Sequence, residues 1–357
     1  MSFERTTAAI DVSQILAVVP TLNEEEHIEA CLRSLLTTDE SLQDLTLVVA
    51  DGGSQDGTCS IVQHLQNEFP NLKLLANPKR LQSAAINLAV DHYGSDSIEY
   101  LIRCDAHSIY PDDFILNVAR SLATHQVDSI VIPMDAVGST CFEKANAWIV
   151  DTPLGSGGAA HRGGTASGLV DHGHHAGFLL ESFKAVGGYD ETFSHNEDAE
   201  YDERVRARGG KIYLDANIRI NYVPRGNLRA LARQYFNYGK GRSRNIAKHG
   251  QSLRLRQMLP IMVLIANLIG LLGGLIFWPL FALPFGYVAI LGLASLFIAI
   301  QKRSLCGLWA GPALGAMHMP WAIGFLVQKS RNKRAKTPHS DYIQKEVVDD
   351  CMGQRKT

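Results

Sequence analysis

The chain has 357 residues, 46% of them hydrophobic, with a formal net charge of −2, so it is long enough for one large domain or two smaller ones with an ample core. The small net charge hides a polarity: residues 1–215 hold 32 Asp/Glu against 14 Lys/Arg, whereas residues 216–340 hold 17 Lys/Arg and no acidic residue. An acidic globule followed by a basic, apolar segment predicts a soluble domain seated on an anionic membrane surface, and its long apolar blocks argue against a nucleic-acid-binding tail.

Met1 to Val12 contains Glu4, Arg5 and Asp11 and no apolar h-region, so no signal peptide is expected. Ile15–Val19 reads as a buried strand, Thr21-Leu-Asn-Glu as a turn, and Glu25–Leu36 as an amphipathic helix with Ile28, Leu32, Leu35 and Leu36 on one face. A strand at 45–50, a helix from about 57 to 67 and a strand near 72–76 follow. Next come a helix at about 80–92, a strand at 99–104, a helix at 111–124 led by Pro111, and a strand at 129–133. Short alternating units with near-continuous apolar strands predict a mostly parallel sheet between helices, an α/β fold.

Residues 150–175 are glycine-dense without an apolar period and read as a mobile loop. A helix at 197–208, a short strand Lys211–Leu214 and a basic helix from about Asn227 to Lys248 complete the soluble part. No charged residue occurs from Met258 to Ile300. One crossing needs about 20 residues, so this stretch predicts a helical hairpin, roughly 258–278 and 284–300. A third apolar block, 305–327, contains Gly311-Pro312, His318 and Pro320, and basic clusters flank it on both sides. A broken, re-entrant segment would keep both clusters on one side of the membrane, and a third true span is the other reading. The six scattered cysteines (31, 59, 104, 141, 306 and 351) form no Cys-x-x-Cys and fit a reducing compartment without a disulfide framework or zinc site.

Three carboxylates stand beside turns or helix starts: Asp51, closing a strand before Gly-Gly-Ser, Asp105, closing another before Ala-His, and Asp198, ahead of an amphipathic helix. Loops at the carboxyl ends of parallel strands converge on one crevice, where a nucleotide, a cation and a proton acceptor could meet. Taken singly, Asn23 and Glu24 could equally be plain helix caps, and Asp51 a turn cap. His174 and His175 are adjacent and point to opposite sides of a strand, so they are not expected to share a cation.

Taken together, the ordered segments Val19-Pro-Thr-Leu-Asn-Glu-Glu, Asp51-Gly-Gly-Ser-Gln-Asp-Gly-Thr, Asp105-Ala-His, His195-Asn-Glu-Asp-Ala-Glu-Tyr and Gln234-Tyr-Phe-Asn-Tyr-Gly-Lys-Gly-Arg form a fingerprint. It resembles the family-2 glycosyltransferases with a GT-A nucleotide-sugar fold, and more narrowly the membrane-attached transferases of succinoglycan-type exopolysaccharide assembly. The resemblance covers roughly residues 14–250. It implies a GT-A domain over 1–250, a membrane region over 251–335 and a polar tail over 336–357. It further implies that Pro20, Thr21, Asn23 and Glu24 line a nucleotide pocket, that Asp51 binds the base, and that Arg80 and Gln82 approach the nucleotide. Asp105 matches the first acid of the family's Asp-x-Asp motif, which binds ribose and a divalent cation on the diphosphate. The second acid is His107 here, which either joins Mn²⁺ (Mg²⁺ less readily) or faces away. Asp198 matches the catalytic base, Glu197 its acidic neighbour, and Gln234 to Arg242 a helix near donor and acceptor.

The implied reaction is an inverting transfer of a hexose from a UDP-sugar to a polyprenyl-linked saccharide. Asp198 takes the hydroxyl proton, and a cation neutralises the leaving diphosphate. Arg233, Lys240, Arg242 and Arg244 would hold the acceptor's diphosphate or attract membrane lipid. The expected location is the cytoplasmic membrane, multi-pass, with the catalytic domain in the cytoplasm and no nucleic-acid partner. The nearest rival is a polyprenyl-phosphate glycosyltransferase, and a processive synthase fits less because its Gln-x-x-Arg-Trp signature is replaced by Gln234-Tyr-Phe-Asn-Tyr. A nicotinamide oxidoreductase would use Gly155-Ser-Gly-Gly-Ala-Ala, but that segment follows Pro153 rather than a strand. A non-catalytic scaffold would not need three such carboxylates.

Overall fold

The computed structural model describes residues 10–37, 40–157 and 164–336. The expected polar tail, Cys351, the segment before Ile10 and the central part of the glycine-dense stretch therefore lie outside the described residues. In chain order the elements are β1 (Ile15–Thr21), α1 (Ile28–Leu36), β2 (Thr46–Asp51), α2 (Thr58–Leu65), β3 (Leu72–Ala76), α3 (Gln82–Tyr93), β4 (Tyr100–Arg103), α4 (Phe114–His125), β5 (Ser129–Ile132) and β6 (Met134–Ala136). They continue with α5 (Cys141–Val150), α6 (Pro153–Ser156), β7 (Gly168–Leu169), β8 (His174–Leu179), α7 (Leu180–Ala185), α8 (Glu197–Ala207), β9 (Ile212–Leu214), β10 (Ile220–Tyr222) and α9 (Leu228–His249). Three apolar helices follow: α10 (Leu255–Gly273), α11 (Ala282–Gln301) and α12 (Ala310–Lys336).

Why β1 lies at the centre is visible in its side chains. Ile15, Ala17 and Val19 point to one face, into a core with Ile28, Leu32 and Leu35 of α1. Leu16 and Val18 point to the other, into a core with Ala85, Ile86 and Ala89 of α3. A strand buried on both faces needs this continuous apolar run, because side chains alternate across a sheet. The main sheet runs β3-β2-β1-β4-β8-β5-β9-β7, with β10 and β6 forming a separate parallel pair. The expectation of a mostly parallel sheet holds for β1 to β4, but β8 runs antiparallel between β4 and β5, and β7 antiparallel to β9. The strand order reverses at β1, so the loops after β1 and β4 open onto a crevice at their carboxyl ends.

Several expectations are corrected. The segment 150–175 is only partly a loop: Thr152 caps the short helix α6, so Gly155 is helical, and β7 follows at Gly168. The preceding helix α5 was not foreseen, although Thr140 and Glu143 form a capping box that its sequence spells out. Helix α1 starts at Ile28 rather than Glu25, so Asn23 does not cap it. The cysteine expectation also fails. Cys141 at the start of α5 is bonded to Cys306 in the turn before α12, with Cα atoms 4.8 Å apart across 165 residues of sequence. No spacing rule joins residues so distant, because only the docking of the membrane region onto α5 brings them together.

Helices α10 and α11, with mean hydropathy of 1.8 and 2.2, are long and apolar enough to cross a membrane, as the hairpin expectation required. The third segment also qualifies, but 44% of an apolar 18-residue stretch within it is buried inside the protein against 6% and 11% for the first two. It is one continuous helix through Pro320, not a broken one. Its second half lies along the basic helix α9, where a Cβ on Gly324 would meet the Phe236 carbonyl oxygen at 2.1 Å and one on Gly239 the Trp321 carbonyl oxygen at 2.0 Å. In an exposed helix, Gly to Ala stabilises by about 1 kcal/mol. Here the added methyl strikes backbone on the facing helix, and overpacking of this kind costs about 1–3 kcal/mol. Gly324→Ala is therefore expected to lower the melting temperature of the detergent-solubilised protein. A variant that melts at or above the parent temperature would refute this close approach.

Candidate active site

The crevice at the ends of β1 and β4 contains a cavity of about 270 Å³ whose wall includes Pro20, Thr21, Glu24, Arg80, Gln82, Asp105 and His107. Six residues expected at the nucleotide, with His107 expected at its metal, thus meet at one place, from three separate stretches of chain. Leu22, Gly52, Asn77 and Ala106 complete the wall. Asn23 and Asp51, also expected there, instead build the loops behind it. Asn23 takes a left-handed backbone (φ 55°), receives the Gln55 amide on its side-chain oxygen at 2.8 Å, and donates its own amide to Ser54 Oγ at 2.8 Å. The Asp51 carboxylate accepts the amides of Gly53 and Ser54 at 2.8 and 3.0 Å and the Ser54 hydroxyl at 2.5 Å. Burial opposes its ionisation, but these hydrogen bonds outweigh burial and hold its carboxyl below the ordinary range. The turn so fixed presents Gly52 to the cavity. Its neighbour Gly53 has φ 82°, and a Cβ there would lie 3.2 Å from the Arg80 guanidinium.

Asp105 stands at the junction of two halves of the site. Gln82 Nε2 donates to its Oδ1 at 3.1 Å, Arg103 Nε lies 3.8 Å away, and His174 Nε2 is 3.5 Å from Oδ2. Burial resists its charge, yet His174, Arg103 and His107 together keep it ionised below the usual carboxylate range. His107 turns its Nδ1 toward Glu24 Oε1 at 3.5 Å, and this contact, against burial, raises its pKa. Among the described residues no three His, Cys, Asp or Glu side chains converge on a point that could hold a metal. The donors at the cavity are thus the Asp105 and Glu24 carboxylates and the His107 imidazole turned toward Glu24, a set that suits a cation completed by phosphate oxygens and water.

The second half of the site is a buried ionic chain that sequence reading missed. Asp198, in the first turn of α8, receives Arg103 Nη1 at 2.5 Å and Tyr189 Oη at 3.2 Å, with His175 Nδ1 at 3.3 Å, all on its Oδ1. His175 Nε2 then reaches Asp202 Oδ1 at 2.7 Å, and His172 Nδ1 lies 2.8 Å from Asp202 Oδ2. Burial alone would neutralise these groups. The paired opposite charges win: Asp198 is held well below the carboxylate range, chiefly by Arg103 and then His175, while the two aspartates raise His175 to about 9. Glu197 goes the other way, pushed up to about 7 by burial and by the neighbouring Asp198 charge. A charged Arg103 closing an apolar strand two residues before Asp105 was the one visible signal for this network.

Gln234 is not at this cavity. It donates to Tyr238 Oη at 2.9 Å in a separate, small cleft lined also by Asn146, Tyr222 and Tyr235. Arg242 lies one residue beyond Gly241, whose Cβ would meet the His195 carbonyl oxygen at 2.7 Å, so α9 passes directly over the turn that carries Glu197 and Asp198.

The sequence of residues 16–187 matches the family model described as Glycosyl transferase family 2. The chain is 43% identical over 311 residues, covering 87% of itself and 93% of the relative, to the succinoglycan biosynthesis protein ExoA of Rhizobium meliloti. This chain belongs to glycosyltransferase family 2. A second relative of this family-2 glycosyltransferase is a dolichyl N-acetyl-alpha-D-glucosaminyl phosphate 3-beta-D-2,3-diacetamido-2,3-dideoxy-beta-D-glucuronosyltransferase of Methanococcus voltae. It is 26% identical over 250 residues, covering 66% of this chain and 74% of that one. Among solved structures, the mannosyltransferase PcManGT from Pyrobaculum calidifontis, in complex with GDP-Man and Mn²⁺, superposes with a TM-score of 0.54 at 19% identity, over 91% of this chain and 90% of that one. The fold of this family-2 glycosyltransferase is GT-A, an α/β sheet followed by three apolar helices.

Proposed function

We propose that this glycosyltransferase moves a hexose from a UDP-sugar onto a lipid-linked saccharide acceptor, with inversion at the sugar carbon, in the assembly of an exopolysaccharide or another cell-surface glycan. The observation that carries the reading is the meeting of seven motif residues at one cavity, with Asp105 linking it to the ionic chain of Asp198. Thr21, Glu24, Arg80 and Gln82 hold the nucleotide, and Asp51 acts on it through the turn that presents Gly52. Asp105 would hold Mn²⁺ or Mg²⁺ with the diphosphate, and His107 would join it only by leaving Glu24. When bound, that cation stabilises the negative charge on the departing nucleoside diphosphate. The acceptor hydroxyl attacks the anomeric carbon from the opposite face and loses its proton to Asp198 as the bond forms.

The relative named for succinoglycan biosynthesis supports an exopolysaccharide as the product, and the relative named for a dolichyl N-acetylglucosaminyl phosphate supports a lipid-linked acceptor. The apolar hairpin and the basic helix α9 support a multi-pass protein of the cytoplasmic membrane with its catalytic domain in the cytoplasm. The packing of α12 on α9 favours an interfacial course for that helix over a free third span. On this reading the chain divides into a catalytic domain over 1–250, a membrane region over 251–335 that α10 opens, and a polar tail over 336–357.

Titration of the detergent-solubilised protein with UDP and GDP, with and without Mn²⁺, tests the donor half. UDP is expected to bind at micromolar concentrations and about tenfold more tightly with the cation. Incubation of labelled UDP-hexoses with a lipid extract tests the acceptor half, the expected product being a lengthened lipid-linked saccharide. Absence of nucleotide binding, or label only in lipid phosphates that carry a single sugar, would overturn the respective half.

A further inference from the structure

Four arginines converge where the catalytic domain meets the first membrane helix. Arg206 belongs to α8, Arg242 to α9, and Arg254 and Arg256 flank Leu255 at the start of α10. The acids nearby are fewer and already shared. Asp171 lies 2.7 Å from Arg254 and 3.2 Å from Arg206, and Glu203 lies 2.5 Å from Arg206. Arg256 donates to the Gly157 carbonyl oxygen at 2.9 Å, and Arg242 donates to the Gln251 side-chain oxygen at 3.4 Å. The Nε–H groups of Arg206 and Arg242 are both buried and accepted by nothing among the described residues. A buried guanidinium N–H without an acceptor costs free energy that an arriving anion would recover. Burial, with Arg254, Arg256 and Arg206 close by, lowers the Arg242 pKa, the effect of surplus positive charge.

We infer that Arg206, Arg242, Arg254 and Arg256 form an anion site for phosphate groups borne by a lipid, beside the membrane and beside the catalytic turn. Two placements select this class of ligand. Arg254 and Arg256 stand at the entry of an apolar helix whose Leu255 is 74% exposed, so a tail leaving the site meets a lipid-facing surface. Arg242 adjoins Gly241, which touches His195 and Asn196, so a sugar attached to the bound phosphate lies next to Glu197 and Asp198. The two sources of such a group are the diphosphate of the lipid-linked acceptor and the headgroup of a bulk anionic phospholipid. The inference rests on the lipid-acceptor reading above and deepens it.

The test uses the full chain in nanodiscs of phosphatidylcholine, with the nucleotide cavity filled by saturating UDP and Mn²⁺, and farnesyl diphosphate as the probe. The parent protein is expected to bind the probe saturably. Arg242→Gln and the Arg254→Gln/Arg256→Gln pair are each expected to weaken it by about tenfold or more, and Arg254→Lys by less. UDP affinity, measured on the same samples, reports that each variant is folded. Discs containing phosphatidylglycerol distinguish the sources. Probe binding that phosphatidylglycerol leaves unchanged assigns the site to the acceptor diphosphate, and binding that it suppresses assigns it to the bulk headgroup. Absence of probe binding, or binding indifferent to the arginine substitutions, overturns the site. A failure of the donor reading is separately visible, as lost UDP binding with farnesyl diphosphate still bound.

Discussion

Asp198→Asn is expected to lower sugar transfer by about 10²–10⁴-fold, the usual contribution of a general base, while UDP binding stays within about twofold. The substitution keeps the shape of the side chain and removes its capacity to take a proton. All of the Asp198 contacts to Arg103, Tyr189 and His175 fall on Oδ1, which leaves the second oxygen for the acceptor. Burial disfavours its charge, but Arg103 and His175 outweigh burial, so the carboxylate stays ionised far below neutrality. If Asp198 is the base, transfer should be independent of pH from 8 down past 5. Glu197 offers a specific alternative, because burial and the Asp198 charge raise it to about 7, close to the ideal for a base. With Glu197 as base, kcat/KM would fall about tenfold for each pH unit below 7. A flat profile with Asp198→Asn inactive supports the first assignment. A falling profile, with Glu197→Gln the inactive variant, transfers the role to Glu197.

His175→Ala should destabilise the protein by about 3–5 kcal/mol, the usual cost of removing one partner from a buried charge pair. The imidazole is fully buried and stands between Asp198 and Asp202, so its loss leaves two buried carboxylates facing a void. Arg103, Tyr189 and Tyr201 also surround it, and of these only Arg103 carries positive charge toward Asp198. The same pair predicts a pH dependence of the parent protein. Because the folded-state pKa of His175 is raised from 6.5 to about 9, its contribution is complete below pH 6.5 and is lost as pH rises through 9. Chemical denaturation at pH 6 and pH 9.5 measures this directly. Stability that is unchanged between those values, with His175→Ala as stable as the parent, would show that the imidazole is not the buried cation.

The strands and helices of the first half were legible because their signals are local. Ile15–Val19 and Leu47–Ala50 are unbroken apolar runs, and α1 repeats apolar residues at helical spacing, so their burial follows from a few neighbouring residues. The residues that line the cavity were legible for another reason: their motifs follow strand ends, and parallel strands bring their carboxyl ends together. The membrane hairpin was legible from length and hydropathy alone.

What stayed hidden depends on distant parts of the chain meeting. Arg103 and Asp198 are 95 residues apart, and only the insertion of β8 beside β4 carries His175 to both Asp198 and Asp202. That antiparallel strand has no composition that distinguishes it from the parallel ones. His174 and His175 do point opposite ways, as a strand requires, yet each finds a carboxylate, because the site wraps around both faces of the strand. Asn23 and Asp51 kept their places in the motif but turned their polar atoms into loop hydrogen bonds, a choice made by backbone geometry.

The sequence by itself determined the fold class, the crevice at the strand ends and the apolar hairpin, since period, strand-end position and apolar length are properties of contiguous residues. Only the tertiary structure decided the charge state of Asp198 and Glu197, the Cys141–Cys306 link, the docking of α12 on α9 and the gathering of four arginines. The physical reason is that each depends on distance and burial, and those exist only once the chain is packed.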